Sequence, residues 1–206
     1  YERTPMPTVR LEEWRYTNLK KKLDLDSLRL SDAEALSAKQ STWPEGLRAA
    51  MDEDREASGH IVIIDDHVVH ADIDEQLAAK GVLLESLQEA VTNHEELVRE
   101  HLAVEAVPAE EGKFAALNAA LWIDGILLYV PKGVQLERPV RVTRWLSEAG
   151  TAYFCRVLIV AESQSQISYV DEVLSDDFES QTYTSTAVEL IARDRAQVQY
   201  VAVQRL

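Results

Sequence analysis

The fold is decided by the stretch Asn118-Ala-Ala-Leu-Trp-Ile-Asp-Gly-Ile-Leu-Leu-Tyr-Val-Pro-Lys-Gly-Val-Gln-Leu-Glu-Arg-Pro-Val-Arg-Val142. Its first residues continue a helical pattern, and the remainder has the apolar runs and alternation of β-strands. From here to the last residue the chain is rich in Val, Ile, Thr and Tyr, which favour strands. We therefore predict a mostly helical cap over residues 1–113, with a strand-rich core over residues 114–206.

The strand-rich core repeats with a fixed period of about 31 residues, the interval from Leu128 to Ile159. Two sets of apolar residues show the period, namely Leu128, Ile159 and Leu190, and then Leu136, Ile167 and Val198. The same spacing aligns Arg138 with Tyr169 and Tyr200. A fixed period of this size is typical of stacked units that bury their apolar faces against their neighbours. The repeat thus predicts a β-solenoid, and the alternative is an antiparallel sandwich with evenly spaced strands.

The turns between these strands lack the residues that usually form tight hairpins. No proline follows Pro139, and no glycine follows Gly150. We expect the corners of a solenoid at polar pairs such as Ser163-Gln164 and Asp194-Arg195. The strand pattern still runs at Leu206, so we also expect these residues to be the front part of a longer protein.

Charge and composition disfavour several functional classes. The chain has a net charge of −15, which repels phosphates and argues against unaided binding to nucleic acid or an anionic membrane. Cys155 is the only cysteine, so no intrachain disulfide can form, as suits a reducing compartment. No apolar run approaches the length of a membrane-spanning helix, and no signal pattern is present. The sequence therefore predicts a cytoplasmic protein.

The cap contains several predicted elements. Leu11, Trp14 and Tyr16 lie among charges in a predicted short amphipathic helix, where the aromatic rings dock on a partner or on their own domain. Capping boxes at residues 31–34 and 86–89 and a proline at position 44 predict three helix starts. Two apolar runs, residues 60–64 and 67–70, are joined by Asp65-Asp66 and predict a hairpin.

The second half of the cap has a clearer pattern. Residues 81–84 are predicted to form a strand. Apolar residues between 87 and 102 recur at spacings of three and four, which predicts one helix, or two if the chain restarts at Asn93. Residues 104–112 are a predicted linker, and residues 113–121 a predicted helix leading into the repeats.

The histidines, the acidic residues and the cysteine are the candidate site residues. His67 and His70 lie near four aspartates, Asp65, Asp66, Asp72 and Asp74. Positions 67 and 70 of a regular strand point to opposite faces, which disfavours a metal site. The acidic segment that begins at Asp72 also lacks the glycine and the later glutamate of a calcium-binding loop.

The remaining candidates also indicate packing. His94 and His101 share the apolar face of the predicted helix, and Cys155 lies in a strand where a thiol is usually buried and inert. The turn at Lys132-Gly133 matches neither glycine-rich phosphate-binding pattern, and no Gly-x-Ser-x-Gly elbow occurs. We therefore predict no catalytic, cofactor-binding or metal-ligating residue in this chain.

One segment closely resembles the entry to the β-helix core of the SufB/SufD family. This segment is Leu117-Asn-Ala-Ala-Leu-Trp-Ile-Asp-Gly-Ile-Leu-Leu-Tyr-Val-Pro-Lys-Gly133. Glu13-Trp-Arg-Tyr-Thr-Asn-Leu19 resembles the amino-terminal motif of its SufD branch. The resemblance covers nearly all of the chain. It implies an α+β amino-terminal region followed by a right-handed parallel β-helix that is incomplete at the carboxy terminus.

The resemblance also implies a function, that of a non-enzymatic scaffold component in iron–sulfur cluster assembly. In this family SufD pairs with SufB through the β-helices, and both bind the ATPase SufC through carboxy-terminal helical regions. The expected partners are thus SufB-like and SufC-like proteins, with a homodimer through the β-helix as a further arrangement. The cluster would be transient and held in the assembled complex.

Functional residues of the family lie in late coils that have no counterpart within residues 1–206, so none is assigned here. Two other functional classes stay open, namely an enzyme built on a β-solenoid and a structural binding module without a metal. An enzyme on a β-solenoid usually places several acidic side chains along one face. No carboxylate recurs in the aligned sets of this chain, which are Arg138, Tyr169 and Tyr200, and then Lys132, Ser163 and Asp194. That pattern disfavours the enzyme.

Overall fold

Two five-stranded sheets organise the computed structural model, which describes residues 2–31, 40–52 and 56–206. Sheet A contains β1 (Arg29–Leu30), β4 (Leu83–Ser86), β5 (Asp124–Val130), β7 (Thr151–Ala161) and β9 (Tyr183–Ala192). Sheet B contains β2 (Gly59–Ile64), β3 (His67–Ile73), β6 (Val140–Leu146), β8 (Gln166–Ser175) and β10 (Gln197–Arg205). The chain is therefore α+β, with parallel and antiparallel pairs in both sheets.

From β5 onward, successive strands alternate between the two sheets. Each of them pairs in parallel with the strand two places later, so β5 pairs with β7, β6 with β8, β7 with β9 and β8 with β10. Leu128 pairs with Ile159, and Ile159 with Leu190, as the period of the sequence predicts. The evenly spaced antiparallel alternative is wrong for these strands.

One of the four pairings departs from the period. Val140 pairs with Tyr169, two positions short of the full period, although Gln135 still pairs with Gln166 at the full period. Two extra residues therefore lie just before β6, where Pro139 has no N–H to donate to the ladder. The predicted alignment of Arg138 with Tyr169 is wrong, and Val140 takes that place.

Turns lie at both predicted pairs, and one residue of each turn has a positive φ. Gly133, Gln164 and Arg195 recur at the period of the strands and have φ angles of 75°, 65° and 57°. The two latter residues belong to the predicted pairs Ser163-Gln164 and Asp194-Arg195. Each turn thus places one residue in the left-handed region, which glycine adopts freely and other residues adopt at a cost.

The main core lies between the sheets, because alternate residues of each strand point inward. Its buried members include Ile61, Ile126, Leu128, Val142, Val157, Ile159, Ile167 and Tyr169. The outer faces pack against α2 (Glu45–Asp52), α4 (Leu87–Asn93), α5 (Glu95–His101) and α6 (Lys113–Leu121). The structure also describes α1 (Leu19–Lys22) and α3 (Glu75–Ala79), and Leu77 of α3 packs in the main core. None of the described helices is long and apolar enough to cross a membrane.

Most predicted elements of the cap are observed. The β2–β3 hairpin turns at Asp65-Asp66, α2 directly follows Pro44, and the helical stripe is divided into α4 and α5 at His94. The Ser86 hydroxyl caps α4 by accepting from the N–H of Glu89. The predicted strand at 81–84 lies two residues later as β4, and the capping box at 31–34 lies almost entirely outside the described residues.

The predicted amphipathic helix near Trp14 is wrong. Only a single 3-10 turn forms there, from Glu12 to Trp14, and α1 begins separately after Asn18. Thr17 and Asn18 have low helix propensity, and a segment this short cannot recover the cost of helix nucleation.

Strands of the cap join both sheets. β4 pairs with β5 in antiparallel orientation, and β2 pairs with β6 in parallel while its other edge pairs with β3. The edges of β5 and β6 that face away from the later strands are therefore covered. The division at residue 113 stays a prediction.

Candidate functional site: buried polar networks of the two sheets

The interior between the sheets contains a charged network centred on Asp171 of β8. Arg144 of β6 donates from Nε to Oδ1 of Asp171 at 2.9 Å and from Nη2 to Oδ2 at 2.8 Å. The hydroxyl of Tyr200 on β10 donates to Oδ2 at 2.7 Å. Arg144 also donates to the hydroxyl of Thr186 on β9. We call these four residues the Asp171 network.

The Asp171 network links three successive strands of sheet B and one strand of sheet A. Strand alternation places Asp171 and Tyr169 on the inward face of β8, two residues apart. The ring of Tyr169 stacks on that of Tyr200, with centroids 5.3 Å apart and planes inclined by 14°. A change of register in β8 or β10 would break both contacts, so the network fixes the register of these strands.

Two groups of the network have shifted pKa values. Burial is the largest single effect on Arg144 and lowers its pKa, but the Asp171 carboxylate together with smaller contributions from neighbouring groups outweighs burial, and the pKa is raised. Burial and the charge of Asp171 raise the pKa of Tyr200, so its hydroxyl keeps the proton that it donates. Two-pronged Arg–carboxylate pairs are among the strongest hydrogen-bonded pairs in proteins. Arg144 therefore keeps its positive charge, and the polar groups of the network bind one another.

Cys155 lies beside this network on β7. It is buried, as predicted, and burial raises the pKa of its thiol to about 12. A thiol is a nucleophile or a metal ligand as the thiolate. At neutral pH Cys155 therefore keeps its proton and packs as a small apolar side chain.

A second buried pair lies on the outer face of sheet A. Arg156 of β7 and Glu189 of β9 have side chains that are 1% and 0% exposed, with Nη2 and Oε1 2.7 Å apart. The Glu189 carboxylate accepts from the N–H of Ala103 at 2.8 and 3.1 Å, and Arg156 donates to the carbonyl of Val107 at 3.0 Å. We call this arrangement the outer clasp, because it fastens the loop after α5 to the sheet.

The two aspartates of the β2–β3 turn also join neighbouring segments through hydrogen bonds. Asp65 accepts from the N–H and the hydroxyl of Ser147, both at 2.8 Å, and Asp66 accepts from the N–H of Phe154 at 2.8 Å. Burial raises the pKa of Asp66 to about 7. Their oxygens are thus engaged with β7 and with the chain that precedes it.

Two histidines of the β2–β3 hairpin approach the same aspartate. His60 pairs with Asp72 across the hairpin and His70 lies two residues before Asp72 on the same face of β3, so both approach one oxygen of Asp72, at 4.0 and 2.7 Å. A bulge between Val62 and Ile63 shifts the register of the hairpin only beyond these residues. Asp74 is instead the N-cap of α3. The part of the chain that the structure describes holds no group of three or more His, Cys, Asp or Glu arranged to hold a metal.

The other two histidines lie in the helical layer. Nε2 of His94 is 3.0 Å from Oε1 of Glu85 and ties the α4–α5 junction to β4. His101 is buried at the end of α5, in agreement with the predicted packing role.

Sequence reasoning missed the Asp171 network, the outer clasp and the contact of His60 with Asp72. A signal existed for the first two, since Arg144, Arg156, Asp171 and Glu189 interrupt otherwise apolar strands. A charge in such a position requires a buried partner. The identity of each partner depends on the strand register, which the period gives only approximately.

Comparison with known proteins gives a consistent result over the whole chain. Residues 1–142 match the family model described as SufBD protein N-terminal region, and residues 144–206 match that of the SUF system FeS cluster assembly, SufBD core domain. The iron-sulfur cluster assembly protein SufD of Bacillus subtilis is 33% identical over 208 residues, which cover 100% of this chain and 46% of that protein.

Two further relatives agree. The iron-sulfur cluster assembly protein SufB of Bacillus subtilis is 27% identical over 195 residues, which cover 88% of this chain and 42% of that protein. An iron-sulfur cluster assembly SufBD family protein of Staphylococcus haemolyticus is 30% identical over 175 residues, which cover 80% of this chain and 37% of that protein. The chain spans less than half the length of each of these relatives.

Proposed function

This chain belongs to the SufBD family, and on that premise we propose that it contributes to the scaffold on which iron–sulfur clusters are assembled. The observation that carries the proposal is the match to both family models together with relatives named for cluster assembly. The proposed partners are a SufB-like protein and a SufC-like ATPase, with self-pairing through the strand-rich core as an alternative arrangement. The cluster is transient cargo of the assembled complex, and the proposed location is the cytoplasm.

We further propose that β5 to β10 are the first coils of a right-handed parallel β-helix and that the cap ends near residue 113. The alternation of strands between two sheets and the constant offset of three of the four pairings support this fold. The recurrence of one turn conformation at Gly133, Gln164 and Arg195 also supports it. A stack of coils presents its side chains at regular spacing, as a scaffold requires.

A scaffold role without catalysis fits the buried polar groups. The charges of the Asp171 network and of the outer clasp are paired with each other and join neighbouring strands. Such pairs contribute strand register and rigidity, and rigid elements hold a shared site more accurately than loops do. We propose that this chain supplies the rigid part of the assembly and performs no chemistry itself.

Reconstitution tests this proposal. The full gene product that contains this chain would be co-expressed with a SufB-like and a SufC-like protein, purified without oxygen, and assayed for iron and acid-labile sulfide. A stable complex carrying both is the expected result, and omission of the SufB-like protein is the control. A complex without iron and sulfide would contradict the role in cluster assembly, and the lack of any complex would contradict the proposed partners as well.

A further inference from the structure

The amino-terminal segment, residues 2–22, exposes an unusual share of apolar surface. Met6, Val9, Leu11 and Tyr16 are all exposed, and Tyr16 is 85% exposed. Trp14 behaves differently, because its ring packs on Phe114 of α6 with centroids 5.3 Å apart. Isolated exposed apolar residues are ordinary, but a cluster within such a short segment is typical of an interaction surface.

The charge of this segment is opposite to that of the whole chain. Residues 2–22 carry six basic and three acidic side chains, whereas the chain has a net charge of −15. Arg15 pairs with Glu12 at 3.1 Å and lies over the ring of Tyr16. Within the described ranges, Arg10 and the three lysines of α1 form no ion pair. Their positive charge is therefore available to a partner.

The segment also forms a groove. A cleft of about 640 Å³ is lined by residues that include Met6, Leu11 and the packed pair of Trp14 and Phe114. A second cleft, of about 320 Å³, adjoins it and is lined by residues 7–10 and 18–20, with Pro7 shared by both. A third, of about 340 Å³, continues along the lysines of α1. We call this surface the amino-terminal groove, which is apolar at one end and cationic at the other.

We propose that the amino-terminal groove binds an acidic amphipathic helix of a partner protein. The apolar face of such a helix fills the cleft beside Trp14 and Phe114, and its carboxylates lie against Arg10 and the lysines of α1. Helix-in-groove recognition uses apolar anchors on one face, while complementary charge sets partner choice and orientation. This inference does not depend on the proposed role in cluster assembly.

A protein helix fits this surface better than a membrane or a nucleic acid does. Glu13 and Glu111 line the apolar cleft, where carboxylates would repel phosphates. An extended polyanion would also meet the acidic remainder of the chain, whereas a short helix contacts the groove alone. The concave shape further favours an inserted side chain over a flat surface.

Peptide binding measured by fluorescence anisotropy tests the proposal. The probe is a labelled helical peptide of about 18 residues with leucine on one face and glutamate on the other, and the control peptide has glutamine in place of every glutamate. We expect Arg10→Glu/Lys20→Glu to weaken binding of the acidic peptide about tenfold or more. The matched control, Lys80→Glu/Lys132→Glu, changes the net charge equally at a distance from the groove and should leave binding within about twofold.

The apolar end has its own matched pair. Leu11→Ser should weaken binding, whereas Val104→Ser, at another exposed apolar position, should not. Equal affinity for the glutamate and glutamine peptides, or no measurable binding of either, would overturn the proposal. So would tighter, groove-dependent binding to phosphatidylglycerol vesicles or to a single-stranded RNA. Light scattering on a sizing column measures the oligomeric state of the chain. A dimer that Arg10→Glu/Lys20→Glu abolishes would instead identify a second copy of this chain as the occupant.

Discussion

Gly125 of β5 pairs with Arg156 of β7, and its Cα lies close to the backbone of that strand. A Cβ built on Gly125 would lie 2.0 Å from the backbone oxygen of Arg156, whose strand position cannot shift without breaking the parallel ladder. We expect Gly125→Ala to lower the free energy of unfolding by about 3 kcal/mol, at the upper end of the usual cost of overpacking. Urea unfolding followed by circular dichroism measures the change.

Gly112 provides the matched control for Gly125. Its φ of 169° is extended backbone that any residue adopts, and a Cβ there would meet nothing within 4 Å. Gly112→Ala should therefore change the free energy of unfolding by less than about 0.5 kcal/mol. Equal losses in the two variants would show that the approach of β5 to β7 is not the cause.

Asp66 should make stability depend on pH. Burial raises its pKa to about 7, against about 4 in an unfolded chain. The folded state therefore holds the proton more tightly, so the free energy of unfolding falls as pH rises from about 4 to about 7 and stays low above that. Asn in its place cannot titrate but still offers an oxygen to the N–H of Phe154. Relative to that of the unmodified chain, the free energy of unfolding of Asp66→Asn should therefore rise by about 2 to 3 kcal/mol between about pH 5 and pH 8.

Urea unfolding of both proteins at several pH values checks this expectation. Asp177→Asn makes the same chemical change at an exposed position and should not reproduce the gain. Stability curves for Asp66→Asn and the unmodified chain that run parallel from pH 5 to pH 8 would rule out Asp66 as the source of the dependence.

The burial or the role of a single residue could be predicted from the sequence where its neighbours in the chain decide it. Cys155 was expected to be buried because it lies in an apolar strand, and the Ser86 cap follows from the glutamate three residues later. The partners of Arg144 and Arg156 could not be predicted, because each lies on a strand 27 or 33 residues away. Which charges meet over such a separation depends on strand register and on which face each residue occupies.

The outer clasp holds the loop after α5 against sheet A. Replacing Glu189 by Gln leaves Arg156 charged and buried without its counter-ion, a change that typically costs about 3 to 5 kcal/mol. We expect Glu189→Gln to lower the free energy of unfolding by about 3 kcal/mol. It should also speed hydrogen exchange at the N–H of Ala103, which donates to the carboxylate. Urea unfolding and hydrogen exchange with mass spectrometry measure the two effects.

An exposed ion pair serves as the control for the clasp. Arg99 and Glu95 lie one turn apart on α5 with side chains 79% and 62% exposed. Surface pairs of this kind contribute well under about 1 kcal/mol, so Glu95→Gln should leave both measurements nearly unchanged. Normal exchange at Ala103 in Glu189→Gln would contradict a fastening role for the clasp.

Two of the three repeated turns should respond to substitution in opposite directions. Gly133→Ala introduces a Cβ that meets nothing within 4 Å, so only the strain of a positive φ remains, and we expect a loss of about 1 kcal/mol. Gln164→Gly removes that strain at the equivalent position and should be neutral or raise the free energy of unfolding by up to about 0.5 kcal/mol. Thermal unfolding compares the variants.

Within a strand the same replacement should be harmful. Gln199→Gly in β10 gains nothing from a positive φ and should cost about 0.5 to 1 kcal/mol through chain entropy. A loss in Gln164→Gly as large as that in Gln199→Gly would mean that the turn conformation is not strained.

Elements with a local signal were predictable, whereas the offset between paired parallel strands was only partly so. The break between α4 and α5 was signalled by a second helix start at Asn93, and α6 has the predicted bounds. The two extra residues before β6 escaped detection, because a period found at one set of positions says nothing about an insertion between them. The bulge in the β2–β3 hairpin also escaped detection, because the two apolar runs that predict the hairpin do not give the register of its strands.

At the scale of the whole molecule, the cap closes one end of the strand-rich core. Parallel strands present unpaired N–H and C=O groups at an open edge, which can recruit another chain. β4 covers β5 in antiparallel orientation, while β2 covers β6 and is itself followed by the antiparallel β3. Residues 1–113 thus provide more than a solubilising acidic layer, since their strands end the parallel ladders at this side.

Removal of the cap tests that interpretation. Without residues 1–113 the edges of β5 and β6 lose their hydrogen-bonded partners, and the apolar face covered by α4 and α5 becomes exposed. We expect the shortened chain to elute from a sizing column as soluble aggregates, because edge pairing and apolar burial both favour association. Deletion of residues 1–22 alone keeps β2, β3 and β4 in place and should leave the elution of the remaining chain unchanged. Clean monomers from the larger deletion would contradict the closing role of the cap, since the strands of the core would then tolerate open edges.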